Sequence, residues 1–115
     1  MKNEDKELLK IIDIIVENVF PQKIFLFGSR AARTHHKKSD YDIFVIVEKC
    51  KNVRKLEKLL YYVMAKEGIG VPVDLMVDTR DKFEKLKDNH YLIYNQVDKY
   101  GRVIYERKAT VSAMA

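Results

Sequence analysis

The chain has 115 residues, of which 47% are hydrophobic and 34% are charged, as in one globular domain with its own apolar core. Its single cysteine excludes an internal disulfide, and no apolar run approaches the roughly 18 residues of a membrane span, so we expect a cytoplasmic protein. The net charge of +5 comes from Lys and Arg interleaved with Glu, which indicates a solvated surface and no stable nucleic-acid binding.

A helix, a strand and a short helix are predicted in the first part of the chain. Apolar side chains recur at helical spacing over residues 5–19, and Pro21 ends that helix. Residues 23–27 form a short apolar run with aromatic and branched side chains, which predicts a buried strand. Ser29 is then placed to cap a short helix that continues through Arg33.

Two further strands and a longer helix are predicted in the middle of the chain. The apolar run at residues 42–47 predicts the second strand. Asn52 can cap a helix that runs to about Lys66, because apolar side chains recur along one of its faces. Residues 71–77 predict the third strand, with Pro72 at its beginning, where a missing backbone donor is tolerated.

The last third of the chain is predicted to be mainly helical. Residues 80–100 predict one or two helices, which Gly101 ends, and residues 102–105 predict a short edge strand. We expect a single domain over residues 1–108 and a loose tail over residues 109–115. The alternation of helices and strands predicts an α/β (α+β) fold, with a small mixed central sheet flanked by helices.

The stretch from Gly28 to Asp42 carries the most specific chemical signal. A Gly28-Ser29 turn follows the first strand, and an Asp40-Tyr41-Asp42 motif comes ten residues later. Glycine lets the backbone approach an oxyanion, while the serine hydroxyl and the amides that open a helix attract phosphate. The two aspartates lie on one side of a strand, roughly 7 Å apart, and can converge on a divalent metal. The stretch therefore predicts a site for a metal-bound nucleoside triphosphate.

A third carboxylate is needed if two metal ions are to be held, and two aspartates compete for that position. Asp74 stands among apolar residues of the third predicted strand, where a carboxylate must face solvent, find a partner or serve a function. Asp78 follows that strand in an Asp-Thr-Arg turn, where capping of the next helix is the expected role. Asp74 is therefore the preferred third ligand.

The cationic residues beside the motif have two interpretations. Arg30 is near enough to contact a phosphate group and equally fits a solvated helix residue. Residues 33–38, which include one arginine, two histidines and two lysines, are interpreted as a surface loop that can also attract an anionic nucleotide. No zinc site is expected there, because adjacent histidine side chains diverge and no further ligand spacing is evident.

The combined pattern resembles the minimal nucleotidyltransferases of the DNA polymerase beta-like superfamily. The shared residues are a Gly-Ser pair, an Asp-x-Asp motif ten residues later and another aspartate on a later strand, here Gly28, Ser29, Asp40, Asp42 and Asp74. The similarity covers nearly the whole chain and implies the nucleotidyltransferase fold.

One residue departs from that family pattern. Arg33 stands where many members carry glycine in a Gly-Ser-Arg-Ala-x-Gly run. The altered turn is expected to affect loop shape or nucleotide preference, and it leaves every metal-ligand position intact.

The resemblance implies transfer of a nucleoside monophosphate from a triphosphate to a hydroxyl, with ATP as the substrate and two Mg²⁺ ions as cofactors. Gly28 and Ser29 would hold the triphosphate. Asp40 and Asp42 would bind both ions, and Asp74 would bind the second ion and help to activate the acceptor hydroxyl.

Free-standing members of this size are similar to the antitoxin half of HEPN/MNT toxin–antitoxin pairs. That resemblance implies transfer of AMP to a tyrosine of a HEPN-family ribonuclease toxin, within a hetero-complex. One alternative is an antitoxin that acts by binding alone, with a vestigial site, through the aromatic surface of Tyr61, Tyr62, Tyr91, Tyr94 and Tyr100. Another is a nucleotidyltransferase that acts on a small molecule or an RNA.

Overall fold

The structure is a computed structural model that describes residues 5–31 and 40–108. Its elements in chain order are α1 Asp5–Val19, β1 Lys23–Phe27, α2 Gly28–Ala31, β2 Tyr41–Val47, α3 Val53–Lys66, β3 Val73–Thr79, α4 Arg80–Leu86, α5 Ile93–Tyr100 and β4 Arg102–Glu106. The predicted tail and the predicted cationic loop lie outside the described residues. Within these two ranges, no helix has the length and apolar character that crossing a membrane requires.

Four strands form one mixed sheet in the order β3-β2-β1-β4. β2 runs antiparallel to β1 and parallel to β3, while β4 pairs antiparallel with the other side of β1. In register, Phe27 lies opposite Asp42, and Asp42 lies beside Asp74. The end of β1 therefore meets the beginnings of β2 and β3 at one end of the sheet, and the predicted fold class is confirmed.

Each face of the sheet carries its own apolar core. One face packs against α1 and α3, and its buried residues include Ile11, Ile15, Ile24, Leu26, Ile43, Val45, Leu60, Met64, Leu75 and Val77. The other, here called the aromatic face, packs against α4 and α5 through Phe25, Phe44, Ile46, Phe83, Tyr94 and Val97. Because side chains alternate along a strand, Asp42 and Asp74 lie on the aromatic face, beyond the end of its core.

Several element boundaries differ from the predicted ones. β3 begins two residues later than predicted and ends at Thr79, because its parallel pairing with β2 continues as far as the pair Val47 and Thr79. β2 begins at Tyr41, one residue earlier than predicted. Ser29 does not cap α2, since the helical turn already begins at Gly28. Residues 80–100 form two helices, which confirms one of the two arrangements predicted for this segment.

Side chains of α3 close the outer edge of β3. The Tyr61 hydroxyl accepts a hydrogen bond from the backbone N–H of Leu75 at 2.7 Å and donates one to its carbonyl at 3.4 Å. A carboxylate oxygen of Glu57 accepts from the N–H of Val77 at 2.8 Å. An open strand edge is a template for pairing with another chain, so these bonds both protect the edge and hold β3 in place.

We predict that Tyr61→Phe lowers the free energy of unfolding by about 1 kcal/mol, because the N–H of Leu75 loses its acceptor. Urea denaturation measures the change. The matched control is Tyr62→Phe, since Tyr62 is 66% exposed on the same helix and its loss of a hydroxyl should stay within about 0.5 kcal/mol. Equal effects of the two substitutions would show that the Tyr61 hydroxyl does not stabilise the strand edge.

Candidate active site

The three aspartates of the predicted site lie at the same end of the sheet. Asp42 is the second residue of β2 and is half-buried, whereas Asp40 immediately precedes that strand and is exposed. Asp74 is the second residue of β3 and is also exposed. Parallel pairing places Asp42 and Asp74 side by side on strands about 4.8 Å apart. The structure thus brings together carboxylates that are separated by more than thirty positions in the sequence.

The carboxylates repel one another at Asp42. Burial raises the pKa of the Asp42 carboxyl above its ordinary value, and the negative charges of Asp74 and Asp40 raise it further. A cation placed among these groups would relieve that repulsion, and oxygen ligands of this kind are those that Mg²⁺ prefers. In the part of the chain that the structure describes, no three His, Cys, Asp or Glu side chains form a ready-made metal site. The donor set fits a divalent cation in chemistry and position, and binding would require the side chains to draw together.

Gly28 joins β1 to α2 directly against Asp42. Its φ is +71°, and a Cβ added there would overlap with Oδ2 of Asp42. Any other residue would therefore meet two penalties, one from the backbone conformation and one from the carboxylate. The structure therefore places Gly28 directly beside the Asp42 carboxylate.

Arg30 connects the turn to the strand that carries Asp42. It is only 6% exposed, and its Cζ lies 3.8 Å from the centroid of the Tyr41 ring, in cation–π geometry. The interpretation of Arg30 as a solvated helix residue is therefore wrong. Tyr41 stands between Asp40 and Asp42, so the stacked guanidinium holds the acidic motif against the turn.

Ser29 is half-buried within α2, the single helical turn after Gly28. The position of Arg33 and the rest of the predicted cationic loop falls within residues 32–39, outside the described residues. A role of that loop stays a prediction.

Asp78 serves a different purpose from the one predicted. It is 5% exposed, accepts a hydrogen bond from the Tyr94 hydroxyl at 2.5 Å, and lies 3.6 Å from Nζ of Lys82. Thr79, not Asp78, caps α4, and the N–H of Thr79 donates to Asp78 Oδ1 at 2.8 Å. Burial and the bond to Asp78 raise the pKa of Tyr94 well above its ordinary value, so the phenol stays protonated as a donor.

The burial argument that favoured Asp74 over Asp78 does not describe the structure, because Asp74 is exposed and Asp78 is buried. What singles out Asp74 is its register beside Asp42. The contacts of Tyr41 with Arg30 and of Tyr94 with Asp78 also went unpredicted, since no local pattern links residues so far apart.

A protein-family comparison and a comparison of solved structures both returned matches. The family model described as "Polymerase beta, Nucleotidyltransferase" matches residues 9–110. The comparison with curated proteins returned no match.

Three similar solved structures are of toxin–antitoxin proteins. A tyrosine-to-alanine variant of the toxin-antitoxin MntA-HpeT is 27% identical over 88% of this chain and 73% of that one, with a TM-score of 0.59. A toxin-antitoxin structure with AMP-PNP is 26% identical over 93% and 76% of the two chains, with a TM-score of 0.58. A MntA-HpeT variant with two aspartate-to-glutamate substitutions, two positions apart, is 25% identical over 93% and 75%, with a TM-score of 0.58.

We predict that Gly28→Ala lowers the free energy of unfolding by at least about 1 kcal/mol more than Gly68→Ala does. Both glycines have positive φ, so both substitutions carry the roughly 1–2 kcal/mol of a left-handed residue. A Cβ at Gly68 meets nothing within 4 Å, whereas one at Gly28 meets Asp42. Urea denaturation of the two variants measures the extra cost of the contact with the Asp42 carboxylate. Equal losses of unfolding free energy would show that this contact adds no penalty.

We predict that Asp42→Asn raises the melting temperature in EDTA at pH 7 by roughly 2–5 °C, because it removes a carboxylate beside like charges. Since the pKa of Asp42 is raised in the folded state, its ionisation lowers the unfolding free energy as pH rises from the ordinary value of 3.8 through the folded pKa. The gain should therefore shrink below about pH 3.5, where both states are protonated.

The control for that measurement is Asp13→Asn, at an exposed aspartate of α1. Differential scanning fluorimetry measures the melting temperatures of the wild-type protein, Asp42→Asn and Asp13→Asn. A lower melting temperature of Asp42→Asn at pH 7 would mean that the carboxylate is stabilised by partners and not repelled by its neighbours.

Proposed function

Because the chain belongs to the polymerase beta nucleotidyltransferase family, we propose that it transfers AMP from ATP to a tyrosine hydroxyl of a HEPN-family toxin and so silences that partner. In this role the protein is the antitoxin of a two-protein system. Asp40, Asp42 and Asp74 are its metal-binding and catalytic residues, and Gly28, Ser29 and Arg30 are its nucleotide-binding residues.

The observation that carries this proposal is the position of Asp42 between the Gly28 turn and Asp74. The turn comes from β1, Asp42 from β2 and Asp74 from β3, so three adjacent strands each contribute one part of the site. Such an arrangement allows a polyphosphate to lie against the turn while its α-phosphoryl group faces the carboxylates.

In the proposed reaction the tyrosine oxygen attacks the α-phosphorus of ATP. The new bond joins that oxygen to the α-phosphorus, the bond to the bridging oxygen of the β-phosphate breaks, and pyrophosphate leaves. Asp74, which is exposed, accepts the phenolic proton. Divalent metal ions bound by the three aspartates would offset the charge on the phosphoryl group and on pyrophosphate.

The backbone of the Gly28-Ser29 turn supplies the phosphate contacts in this scheme. α2 has only four residues, so the individual amide groups of the turn and the Ser29 hydroxyl, and not the dipole of a long helix, would bind the phosphate oxygens. Arg30 is stacked on Tyr41, and we assign it the orientation of the turn together with a phosphate contact.

The similar solved structures support the choice of nucleotide and partner. All three are toxin–antitoxin proteins, and one contains AMP-PNP, an analogue of ATP. The two substituted aspartates in the third structure have the same spacing as Asp40 and Asp42 here. A tyrosine was the substituted residue in the first.

We predict that incubation with Mg²⁺, the product of the adjacent gene and ATP labelled at the α-phosphate transfers label to that partner. ATP labelled at the γ-phosphate should transfer none, because the leaving pyrophosphate carries it away. Mass spectrometry should find AMP on a tyrosine. Asp42→Asn should reduce the rate at least about 100-fold, and Asp13→Asn should leave it unchanged.

Each other outcome has a defined meaning. Label from the γ-phosphate would indicate phosphorylation and would reject the proposal. Neutralisation of the toxin by Asp42→Asn without any label would indicate action by binding alone. That alternative has one observation in its favour, since Tyr62, Tyr91 and Tyr100 are 66%, 86% and 73% exposed.

A further inference from the structure

A pocket of about 410 Å³ opens beside Asp74. It runs along β3 between the start of α3 and the first turn of α5, and its volume is within the range of small-molecule sites. Asp74, Met76 and Asp78 alternate onto the same side of β3, so they mark a path roughly 13 Å long from the exposed carboxylate into the protein.

The lining of this pocket combines apolar and charged side chains. Phe27, Met76 and Ile93 provide apolar surface, and Asp74 and Asp78 come from β3. Arg54 and Glu57 of α3 and Lys82 of α4 also line it. Around Asp78 the polar groups already bind one another: the carboxylate accepts from the Tyr94 hydroxyl and the Thr79 N–H and pairs with Lys82. The pocket thus offers apolar surface at Met76 and Ile93 to a flat group that places one polar atom at Asp74.

The position of Asp74 in the strand order relates the pocket to the direction of the proposed reaction. The order of strands places Asp42 between the Gly28 turn on β1 and Asp74 on β3. In phosphoryl transfer the attacking and leaving oxygens lie roughly in line on opposite sides of phosphorus. If pyrophosphate leaves on the side of the Gly28 turn, the attacking hydroxyl arrives from the side of β3, which contributes Asp74, Met76 and Asp78 to the pocket; Phe27 of β1 lines the pocket as well.

We propose that this pocket binds the side chain of the acceptor tyrosine, with its ring against Met76 and Ile93 and its hydroxyl at Asp74; the assignment rests on the proposed function. An adenine ring fits less well, because its amino group and ring nitrogens need partners. The Asp78 carboxylate is already bonded to Tyr94 and paired with Lys82, and Glu57 pairs with Arg54 and accepts from the N–H of Val77. Met76 and Ile93 then determine which acceptor side chain the pocket can bind, and Asp74 contacts the reacting oxygen.

The pocket can be tested without catalysis by NMR of methionine methyl groups. The chain has four methionines, and Met76 lines the pocket while Met64 is buried on the other face of the sheet. With protein labelled at methionine methyl carbons, N-acetyl-tyrosinamide should shift the Met76 resonance saturably and leave Met64 unmoved. If AMP-PNP alone shifts the Met76 resonance, the pocket binds the nucleotide base. If N-acetyl-tyrosinamide does not shift that resonance, the pocket does not bind a tyrosine side chain. Either result overturns the proposal.

A matched pair of variants sharpens this test. Ile93→Glu should weaken the binding of N-acetyl-tyrosinamide at least about tenfold by placing a charge on the apolar surface. Ile93 is 38% exposed at the first position of α5, where glutamate is favourable, so the fold should tolerate it. The control is Leu9→Glu, at a 42% exposed leucine of α1 on the opposite face, which should change binding less than twofold. Equal weakening by both variants would reject the site.

The same variants separate this proposal from the proposed function. Saturable binding of N-acetyl-tyrosinamide at Met76 without AMP transfer to any partner would preserve the pocket and reject the reaction. AMP transfer with an unchanged KM for the partner in Ile93→Glu would preserve the reaction and reject the pocket. When both are correct, Ile93→Glu raises the KM for the partner at least about fivefold and leaves the KM for ATP unchanged.

Discussion

The close approach of the β1 backbone to the Asp42 carboxylate is the constraint on which the site depends. Phe27 pairs with Asp42 across two antiparallel strands, so the next residue must turn the chain beside that carboxylate. It must adopt a positive φ and carry no Cβ, and glycine meets both conditions. The pairing of main chains therefore places the turn next to Asp42, and the conformation of the Asp42 side chain brings its carboxylate against Gly28.

The aromatic face gives this arrangement a rigid support. Phe44 follows Asp42 on the same side of β2, and its ring contacts those of Phe83 and Tyr94 at centroid distances of 5.5 and 5.6 Å. These contacts hold α4 and α5 against the strands directly behind the acidic end of the sheet. Side chains on packed strands keep their geometry better than those on loops. The apolar contacts behind the acidic end of the sheet also offset the repulsion among the carboxylates.

Local patterns in the sequence predicted one half of the site better than the other. The glycine turn and the Asp40–Asp42 spacing lie within fifteen residues, and short-range geometry sufficed to associate them with phosphate and metal. The strand carrying Asp74 was predicted with a shift of two residues, because its ends are set by pairing with β2 and not by its own composition. The burial of Arg30 under Tyr41 and the bond from Tyr94 to Asp78 depend on the folded chain, so no periodicity could reveal them.

Asp74 and Asp78 differ in how the structure compensates their negative charges. They lie on the same side of one strand, four residues apart, and the buried one is the structural one. Asp78 is surrounded by donors: the hydroxyl of Tyr94, the N–H of Thr79 and the ammonium of Lys82 compensate its charge. Asp74 is exposed and adds its negative charge to that of Asp42. A carboxylate that repels a neighbouring carboxylate gains more from a cation than one whose charge is already compensated, and this difference supports the proposed role of Asp74.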